Sequence, residues 1–261
     1  MGGIPDSHPR RASLLARQSL VEAAAEGLLA DSAMIAHGRG EAFDYLLGER
    51  TSESAMEAIR EVSARLLSAE HPVISVNGNT VVLAGEDLIR VAAVVGCPIE
   101  VNLYYRTSER VSGLLGRLSE QRDAVAAGAA PQGWSGDWKK AVESVMLLGE
   151  AADHEIPGLE GPRAKCCWDG IGCADVVLVP LEDGDRCGAL VTAGKQVLVI
   201  DLNPLSRTSM TATVTIVDEV SRASSKLLDR VVEEGHEPGQ WDNTAALAAA
   251  LDIISDATVG A

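Results

Sequence analysis

The chain has 261 residues, 46% of them hydrophobic, which is enough for one large domain or two small domains with a sizeable buried core. Its formal net charge of −16 at pH 7 excludes a protein that binds nucleic acid through a basic surface. No run of about 18 apolar residues indicates a membrane span, and the N-terminus lacks the apolar core of a signal peptide. We therefore expect a cytoplasmic protein with no nucleic-acid partner and no membrane partner.

The basic residues are unevenly divided between 17 arginines and 5 lysines, and aromatic residues make up only 3% of the chain. Together with the acidic charge, this composition is typical of a halophilic protein. At ~1 M salt the screening length is roughly 3 Å, so a dense acidic surface costs little stability. At low salt the same charges repel one another. An ordinary acidic bacterial enzyme is the alternative interpretation.

Two helices are predicted before residue 70. The first follows Ser7 as its N-cap and carries Arg17. The second begins at Ser54, where Glu57 three residues later completes a capping box, and Thr51 is the alternative start. These helices define a helical N-terminal region over residues 1–70, followed by a second domain over 71–261, unless the whole chain is one continuous domain.

Beyond residue 70, short β-branched runs alternate with helical segments. This alternation predicts an α/β fold, with a Rossmann-like parallel sheet flanked by helices on both faces. The runs near 175–180 and 196–201 are apolar at consecutive positions, as expected of strands buried on both faces. The predicted strands are 71–76, 98–105, 144–149, 174–180, 195–201 and 212–218. The predicted helices end at Gly96, begin after Thr107 as N-cap, and span 184–194, 219–235 and 244–257, with breaks at 128–140, 154–172 and 236–243.

The chain has five cysteines, and because this number is odd, a disulfide framework is not expected. The stretch "CCWDGIGC" places three of them within eight residues, but it contains no CxxC pair. A metal site is one interpretation of this stretch, and a loop with incidental thiols is the other. The cysteines are Cys97, Cys166, Cys167, Cys173 and Cys187.

Ligands of open parallel sheets bind beyond the carboxyl ends of the strands. Four predicted strands are followed by amides, arginines and carboxylates together, which favours a binding site over simple turns. The residues concerned are Asn77, Gly78 and Asn79, then Tyr104, Tyr105 and Arg106, then Glu182, Asp183, Gly184, Asp185 and Arg186, and finally Asn203, Pro204, Ser206 and Arg207.

The stretch "LEDGDR" places carboxylates and an arginine at a helix start, where exposed N–H groups favour an anion. Arg186 is suited to clamp a phosphate, and Asp183 or Asp185 to hold a ribose hydroxyl or Mg²⁺. An N-cap with surface charges is the alternative. Asn203 offers an amide contact, and Arg207 offers another contact to an anion.

Arg39 lies between two glycines in "HGRG". We expect these glycines to form a loop that lets the backbone approach a ligand, with the arginine reaching a phosphate or carboxylate. A flexible loop with a solvated arginine is equally consistent with this stretch. No GxGxxG follows a strand and no P-loop motif occurs, so a standard dinucleotide or P-loop site is disfavoured.

Seven stretches, in order over about Ile4 to Val220, resemble the archaeal phosphopantothenate synthetases, the 4-phosphopantoate–β-alanine ligases of archaeal coenzyme A synthesis. The segment 124–140 and the chain after Val220 depart from the family pattern. The matching stretches are "IPDSHPR", "IAHGRGEAFDYLLGER", "AEHPVISVNGN", "VNLYYRT", "IPGLEGPR", "ADVVLVPLEDGDR" and "VIDLNPLSR".

The resemblance implies an ATP-dependent ligase. ATP and 4-phosphopantoate would form an acyl-adenylate and diphosphate, and β-alanine would then displace AMP to give 4′-phosphopantothenate. Arginines would neutralise the two polyanionic substrates, and fixed donors would stabilise charge that develops on the α-phosphate. A homodimer and a Mg²⁺ carried with ATP are also implied.

The resemblance also implies roles for individual residues. Arg39, Arg186 and Asp183 are the predicted catalytic residues. The residues expected to bind ATP are Arg17, Arg39, Glu182, Asp183, Gly184, Arg186, Cys187, Asp201 and Asn203. Those expected at the other substrate are His37, Asn77, Asn79, Arg106 and Arg207, and the division between substrates is open.

Two other functions stay open: a different phosphate-handling enzyme such as a sugar-phosphate isomerase, and a non-catalytic nucleotide-binding module.

Overall fold

The computed structural model describes residues 4–233 and 237–257. Its strands are β1 (Pro72–Val76), β2 (Ile99–Val101), β3 (Leu147–Leu148), β4 (His154–Glu155), β5 (Lys165–Cys166), β6 (Val176–Pro180), β7 (Gln196–Ile200) and β8 (Val214–Ile216). Its α-helices are α1 (Arg11–Ala25), α2 (Asp31–Leu46), α3 (Glu53–Ser68), α4 (Gly78–Val95), α5 (Ser108–Ala127), α6 (Trp138–Glu143), α7 (Gly184–Thr192), α8 (Arg207–Thr211), α9 (Val220–Val232) and α10 (Asn243–Ala257). The predicted helix end at Gly235 and linker start at His236 lie outside the described residues.

Six strands form one parallel sheet in the order β3-β2-β1-β6-β7-β8, which confirms the predicted α/β class. The chain builds outward from β1 through β2 to β3, then returns to β6 on the other side of β1 and continues through β7 to β8. The strand order therefore reverses between β1 and β6. This is the switch point at which open parallel sheets bind their ligands.

Alternate residues of the central strands pack on opposite faces of the sheet. Leu178 and Leu198 belong to a large core cluster with residues of α1, α3, α4, α5 and α9. Val177 and Val197 face the other way, into a smaller cluster with Leu190 of α7 and residues of the 154–172 segment. Burial on both faces explains the unbroken apolar runs of β6 and β7. Both faces are covered as predicted, one mainly by helices and the other by α7 and irregular chain.

The helix starts were predicted with mixed success. Thr107 caps α5 by accepting a hydrogen bond from the Arg110 N–H, as expected. The Ser54 capping box and the Thr51 alternative are wrong, because Ser52 caps α3. The Ser7 cap is also wrong: α1 begins at Arg11, and its N-cap residue makes no side-chain capping bond.

Several predicted segments differ from the structure. The predicted strand 144–149 pairs only over Leu147–Leu148, and the predicted break 128–140 contains the start of α6. The strand 98–105 pairs only over Ile99–Val101, and the chain then leaves the sheet toward α5. The segment 154–172, predicted as a loop, contains the antiparallel pair β4–β5 and a π-helical turn over Trp168–Gly172. The helices before residue 70 share the large core cluster with the sheet, through side chains such as Leu20 and Ile59. The domain division at residue 70 stays a prediction. Across residues 4–233 and 237–257, no helix has the length and apolarity needed to cross a membrane.

Candidate active site

A cavity of about 520 Å³ opens at the carboxyl ends of the central strands. Its walls come from the chain that follows β1, β2, β6 and β7, and from α2 and the start of α9. The cavity therefore spans the β1–β6 switch point, where the fold predicts a ligand. Its polar lining residues are Ser32, His37, Arg39, Glu41, Asp44, Ser75, Asn77, Asn79, Asn102, Tyr104, Tyr105, Arg110, Glu182, Asp183, Arg186 and Glu219.

Asn77 forms hydrogen bonds with the chain on both sides of the switch point, after β1 and after β6. Its Oδ1 caps α4 by accepting from the Thr80 N–H at 3.1 Å, while its Nδ2 donates to the Leu181 carbonyl at 2.8 Å. The Thr80 hydroxyl also approaches the Pro180 carbonyl at 3.3 Å. Leu181 has a φ of 58°, in the left-handed region that leucine seldom adopts. The hydrogen bond from Asn77 helps to hold this backbone at the cavity wall.

The stretch that contains Arg39 is helical, so the predicted glycine-flanked loop is wrong. Asp31–Leu46 forms α2 without interruption, and neither Gly38 nor Gly40 has a positive φ. Gly40 instead allows a close approach, since a Cβ there would lie 3.4 Å from a methyl group of Leu202. The helix presents His37, Arg39 and Glu41 to the cavity.

Glu41 connects the cavity wall to α1. Its carboxylate accepts hydrogen bonds from Ser13 Oγ at 2.6 Å and from Arg17 Nε at 2.8 Å. Partial burial opposes ionisation of Glu41, but these two bonds outweigh it and hold the pKa of this carboxyl below its usual value. Arg17 thus lies behind the cavity lining and supports it through Glu41. His37 Nε2 is buried, makes no hydrogen bond, and lies 3.9 Å from Glu41 Oε1.

Arg186 forms the floor of the cavity and is only 2% exposed. One terminal nitrogen donates to Asn102 Oδ1, and the other lies 3.4 Å from Ser75 Oγ. Its Nε has no hydrogen-bond partner and lies 3.5 Å from Glu182 Oε2. Burial raises the pKa of Glu182, and the adjacent guanidinium opposes that shift. In this conformation both terminal nitrogens face protein groups, so a bidentate phosphate clamp requires these contacts to break.

Glu100 is a buried carboxylate that the sequence reasoning missed. It lies in β2 with no exposed surface, and accepts hydrogen bonds from the N–H groups of Cys167 and Ile171. Burial raises its pKa, while these bonds and the charge of Arg186 act in the opposite direction. Glu100 therefore anchors the π-helical turn against the sheet. A glutamate inside an otherwise apolar strand was the available sequence signal.

Asp183 both caps α7 and lines the cavity. Its Oδ1 accepts from the N–H groups of Asp185 and Arg186, so the N-cap alternative describes part of its role. Asp185 lies outside the cavity lining and pairs with Arg207 and Arg163. Arg207 is therefore occupied by an exposed ion pair.

Three other predicted residues, Gly184, Cys187 and Arg106, lie outside the cavity lining. A Cβ on Gly184 would lie 2.5 Å from Cβ of Arg207, so this glycine permits the close packing of α7 on α8. Cys187 is fully buried, with its Sγ 3.7 Å from the Thr208 carbonyl. Arg106 donates to the Gly149 carbonyl.

Asp201 and Asn203 organise the turn after β7. Asp201 accepts hydrogen bonds from Ser206 Oγ at 2.6 Å and from the Asn203 N–H at 2.9 Å. Burial raises the pKa of Asp201, and the positive charge of Arg39 opposes this shift. Arg39 is therefore close to the end of β7, although Asp201 and Asn203 do not themselves line the cavity.

An ion-pair network that the sequence did not suggest holds α2 against α9. Arg222 donates to both oxygens of Asp44, at 2.5 and 3.1 Å, and to Asp218 at 2.7 Å. Asp218 also accepts a hydrogen bond from the Thr51 hydroxyl. These carboxylates raise the pKa of Arg222 against the effect of burial. The network fixes the cavity wall that carries His37 and Arg39.

In the described part of the chain, no three His, Cys, Asp or Glu side chains converge, including at the cysteine-rich segment. All five cysteines are free. Burial raises the pKa of Cys166 to about 12, so this thiol stays protonated at neutral pH. The interpretation of these residues as incidental thiols stays a prediction.

Comparison with known proteins gives a consistent result. The family described as Phosphopantothenate/pantothenate synthetase matches residues 54–256. A protein of Methanospirillum hungatei named 4-phosphopantoate–β-alanine ligase is 46% identical, over 86% of this chain and 83% of the relative. Proteins of the same name from Thermococcus kodakarensis and Methanosarcina mazei are each 42% identical over 98% of this chain, covering 94% and 96% of their own lengths.

Proposed function

The chain belongs to the phosphopantothenate/pantothenate synthetase family, and on that premise we propose that it joins 4-phosphopantoate to β-alanine at the β1–β6 cavity, in coenzyme A biosynthesis. One observation about the site carries the proposal. Arg39 lines the cavity and has no hydrogen bond or ion pair to any described residue. In so acidic a chain, a cavity guanidinium that forms no ion pair, although its charge acts on Asp201, favours an anionic ligand.

ATP is the proposed energy source, since amide formation from a carboxylate requires a leaving group. Arg39 would contact its phosphates from α2, positioned by the Glu41–Arg17 pair behind it. On the opposite wall, Glu182 and Asp183 precede α7, whose N-terminal N–H groups favour negative charge. Arg186 would supply a fixed positive charge at the floor of the cavity, and this role does not require contact with the ligand. The turn built by Asp201 and Asn203 would border the nucleotide.

The residues present fit a Mg²⁺ that takes most of its ligands from ATP and water. No three carboxylates converge in the described residues, so the protein does not supply a metal cage. Asp183 lines the cavity, and its Oδ2 makes no hydrogen bond to a described residue. Asp183 Oδ1 lies 3.6 Å from a terminal nitrogen of Arg163, whereas both oxygens of Asp185 face arginines. We propose Asp183 as the protein ligand. A bound Mg²⁺ would neutralise phosphate charge.

4-Phosphopantoate would lie along the β1 side of the crevice. His37 Nε2 and Asn79 Oδ1 line this region as buried polar atoms without hydrogen-bond partners. Orphaned polar atoms beside a cavity are costly, and a polar ligand can complete their hydrogen bonds after a small adjustment. Asn77 holds the wall between them and Leu181.

The proposed reaction has two steps. The pantoate carboxylate attacks the α-phosphorus of ATP, forming an acyl-adenylate as diphosphate leaves. The β-alanine amine then attacks the acyl carbon, the bond to AMP breaks, and one proton is released as the amide forms. The protein's part is to hold the substrates in line and to place fixed positive charge near developing negative charge. Neither step requires a nucleophile from the protein, which agrees with the residues that line the cavity.

The test is product analysis in molar KCl with ATP, Mg²⁺, 4-phosphopantoate and β-alanine. AMP and 4′-phosphopantothenate should appear in equal amounts, and AMP formation should require 4-phosphopantoate. ADP and free phosphate as products would refute the adenylate. Omitting β-alanine while supplying labelled diphosphate should give exchange into ATP, because the first step is then reversible.

A homodimer is part of the proposal. α1 and α2 carry exposed apolar side chains away from the core, including Val21 at 57% and Leu46 at 40% exposure. Asp44 is the one fully buried residue of α2, although this helix carries cavity residues. A second copy packed on this face would stabilise the wall. Sedimentation of the wild type and of Val21→Asp tests it, and a monomeric wild type would refute it.

Halophilic adaptation is proposed from the −16 charge and the shortage of lysine. A cytoplasmic location is proposed from the use of ATP and from the five free cysteines. The dependence of stability on salt is the direct test of the first proposal.

A further inference from the structure

Resting on the proposed function, we infer that Arg110 binds the phosphate group of 4-phosphopantoate and thereby selects the phosphorylated substrate over pantoate. Arg110 lies in the first turn of α5, directly after the segment that leaves β2. The sequence pattern predicted the nearby Arg106 as a site residue but did not predict Arg110.

Arg110 is one of the few arginines that form no ion pair with a described residue. Eleven of the 17 arginines form ion pairs with described residues. Of the remaining six, only Arg39 and Arg110 line the cavity. Arg106 lies outside the lining and donates to the Gly149 carbonyl. The cavity therefore has two arginines that form no ion pair with a described residue.

The environment of Arg110 leaves hydrogen-bonding capacity free. One terminal nitrogen donates to the Tyr105 carbonyl at 2.6 Å. Its Nε is buried without a partner, and the second terminal nitrogen has no partner among the described residues. Partial burial lowers the pKa of Arg110, because no carboxylate compensates for the lost hydration. A bound anion would supply both the missing charge and the missing acceptors.

The two arginines lie at opposite ends of the cavity. Arg39 is beside the end of β7, since its neighbour Gly40 approaches Leu202 and its charge acts on Asp201. Arg110 follows β2. In the sheet, β2 and β7 are three strand spacings apart, which is roughly 14 Å.

The chemistry of the substrates indicates which group binds at each end of the cavity. The carboxylate of 4-phosphopantoate must meet the α-phosphate of ATP, and its phosphate is at the other end of the four-carbon chain. If Arg39 takes ATP, the substrate phosphate points away from it, toward β2 and α5. Arg110 is the cavity arginine at that end. Its contact with a group remote from the reacting carboxyl makes it a determinant of specificity.

The test compares Arg110→Ala with Arg117→Ala, a control on the same helix whose exposed guanidinium pairs with Glu26 outside the cavity. Calorimetry measures binding of 4-phosphopantoate, and separately of pantoate, to enzyme that holds a non-hydrolysable ATP analogue. Arg110→Ala should weaken 4-phosphopantoate binding roughly tenfold to hundredfold, the loss expected for a charge-assisted hydrogen bond. Affinity for the ATP analogue and for pantoate should match the wild type, and Arg110→Lys should recover part of the loss.

Three results would overturn the inference. Arg110→Ala could bind 4-phosphopantoate as tightly as the wild type and Arg117→Ala. It could lose the ATP analogue and both pantoates equally, which would indicate general damage to the cavity. Arg106→Ala could show the selective loss in its place. Failure of the wild type to form AMP and 4′-phosphopantothenate would instead refute the proposed function, so the two failures are distinguishable.

Discussion

Replacing Asn77 tests whether one side chain holds the two halves of the switch point together. Asn77→Ala removes both the cap on α4 and the bond to the Leu181 carbonyl. Asn77→Ser keeps a hydroxyl that can cap the helix but is too short to reach Leu181. The two variants therefore separate the cap from the cross-link.

The expected losses follow from these contacts. Loss of an N-cap costs about 1 kcal/mol, and an unsatisfied, partly buried carbonyl costs about 1–2 kcal/mol more. We expect Asn77→Ala to lower the free energy of unfolding by about 2–3 kcal/mol, and to lower Tm by roughly 5–10 °C. Asn77→Ser should lose about 1–2 kcal/mol. Both should lower kcat/KM, because Leu181 is then free to leave its left-handed conformation.

Denaturant unfolding in molar KCl measures the stabilities, and AMP release measures turnover. Ser52→Ala is the control: it removes the cap of α3 at a residue outside the cavity lining, and should cost about 1 kcal/mol with unchanged kinetics. If Asn77→Ala stays within about 0.5 kcal/mol of the wild type, the cross-link has no energetic role and the reasoning fails. Equal losses in the Ala and Ser variants would refute the contribution of the cap.

Thermal melts at several KCl concentrations should show Tm rising steeply between about 0.1 and 1 M, as the screening length falls from ~10 to ~3 Å; a flat or falling Tm would refute the halophilic proposal. Arg186→Ala should destabilise the fold by about 3–5 kcal/mol, because it removes the buried guanidinium beside Glu182, whose side chain is only 11% exposed; a denaturation curve like that of the wild type would contradict this. Iodoacetamide should modify Cys173, the one cysteine that is not buried, before the others without abolishing AMP formation; stoichiometric zinc in the purified protein would overturn the assignment of incidental thiols. Gly184→Ala should lower Tm, because its methyl group would clash with Arg207 at the α7–α8 contact; an unchanged Tm would show that this contact relaxes freely.

Some features could be predicted because short-range physics determines them. The apolar runs of β6 and β7 required burial on both faces, and the structure places them at the centre of the sheet. Thr107 capped α5 because its hydroxyl needs only a nearby N–H group. The switch-point rule also brought amides and carboxylates such as Asn77 and Asp183 to one cavity. These predictions required only the order of elements and local hydrogen bonding.

Other features depended on contacts between distant segments. The glycines beside Arg39 indicated a loop, but α2 is helical because tertiary contacts, including the Asp44–Arg222 ion pair, outweigh weak local propensity. No local pattern shows that Glu100 meets the N–H groups of Cys167 and Ile171.

The choice between Arg106 and Arg110 shows the same limit. The two residues are four positions apart on either side of the α5 cap. Arg106 precedes the helix and bonds to the Gly149 backbone, whereas Arg110 is in the first turn and lines the cavity. The sequence by itself determined that an arginine follows β2 at the edge of the sheet where a ligand is expected. Only the tertiary structure decided which one faces the cavity, because that depends on where the helix begins and how it packs on the sheet.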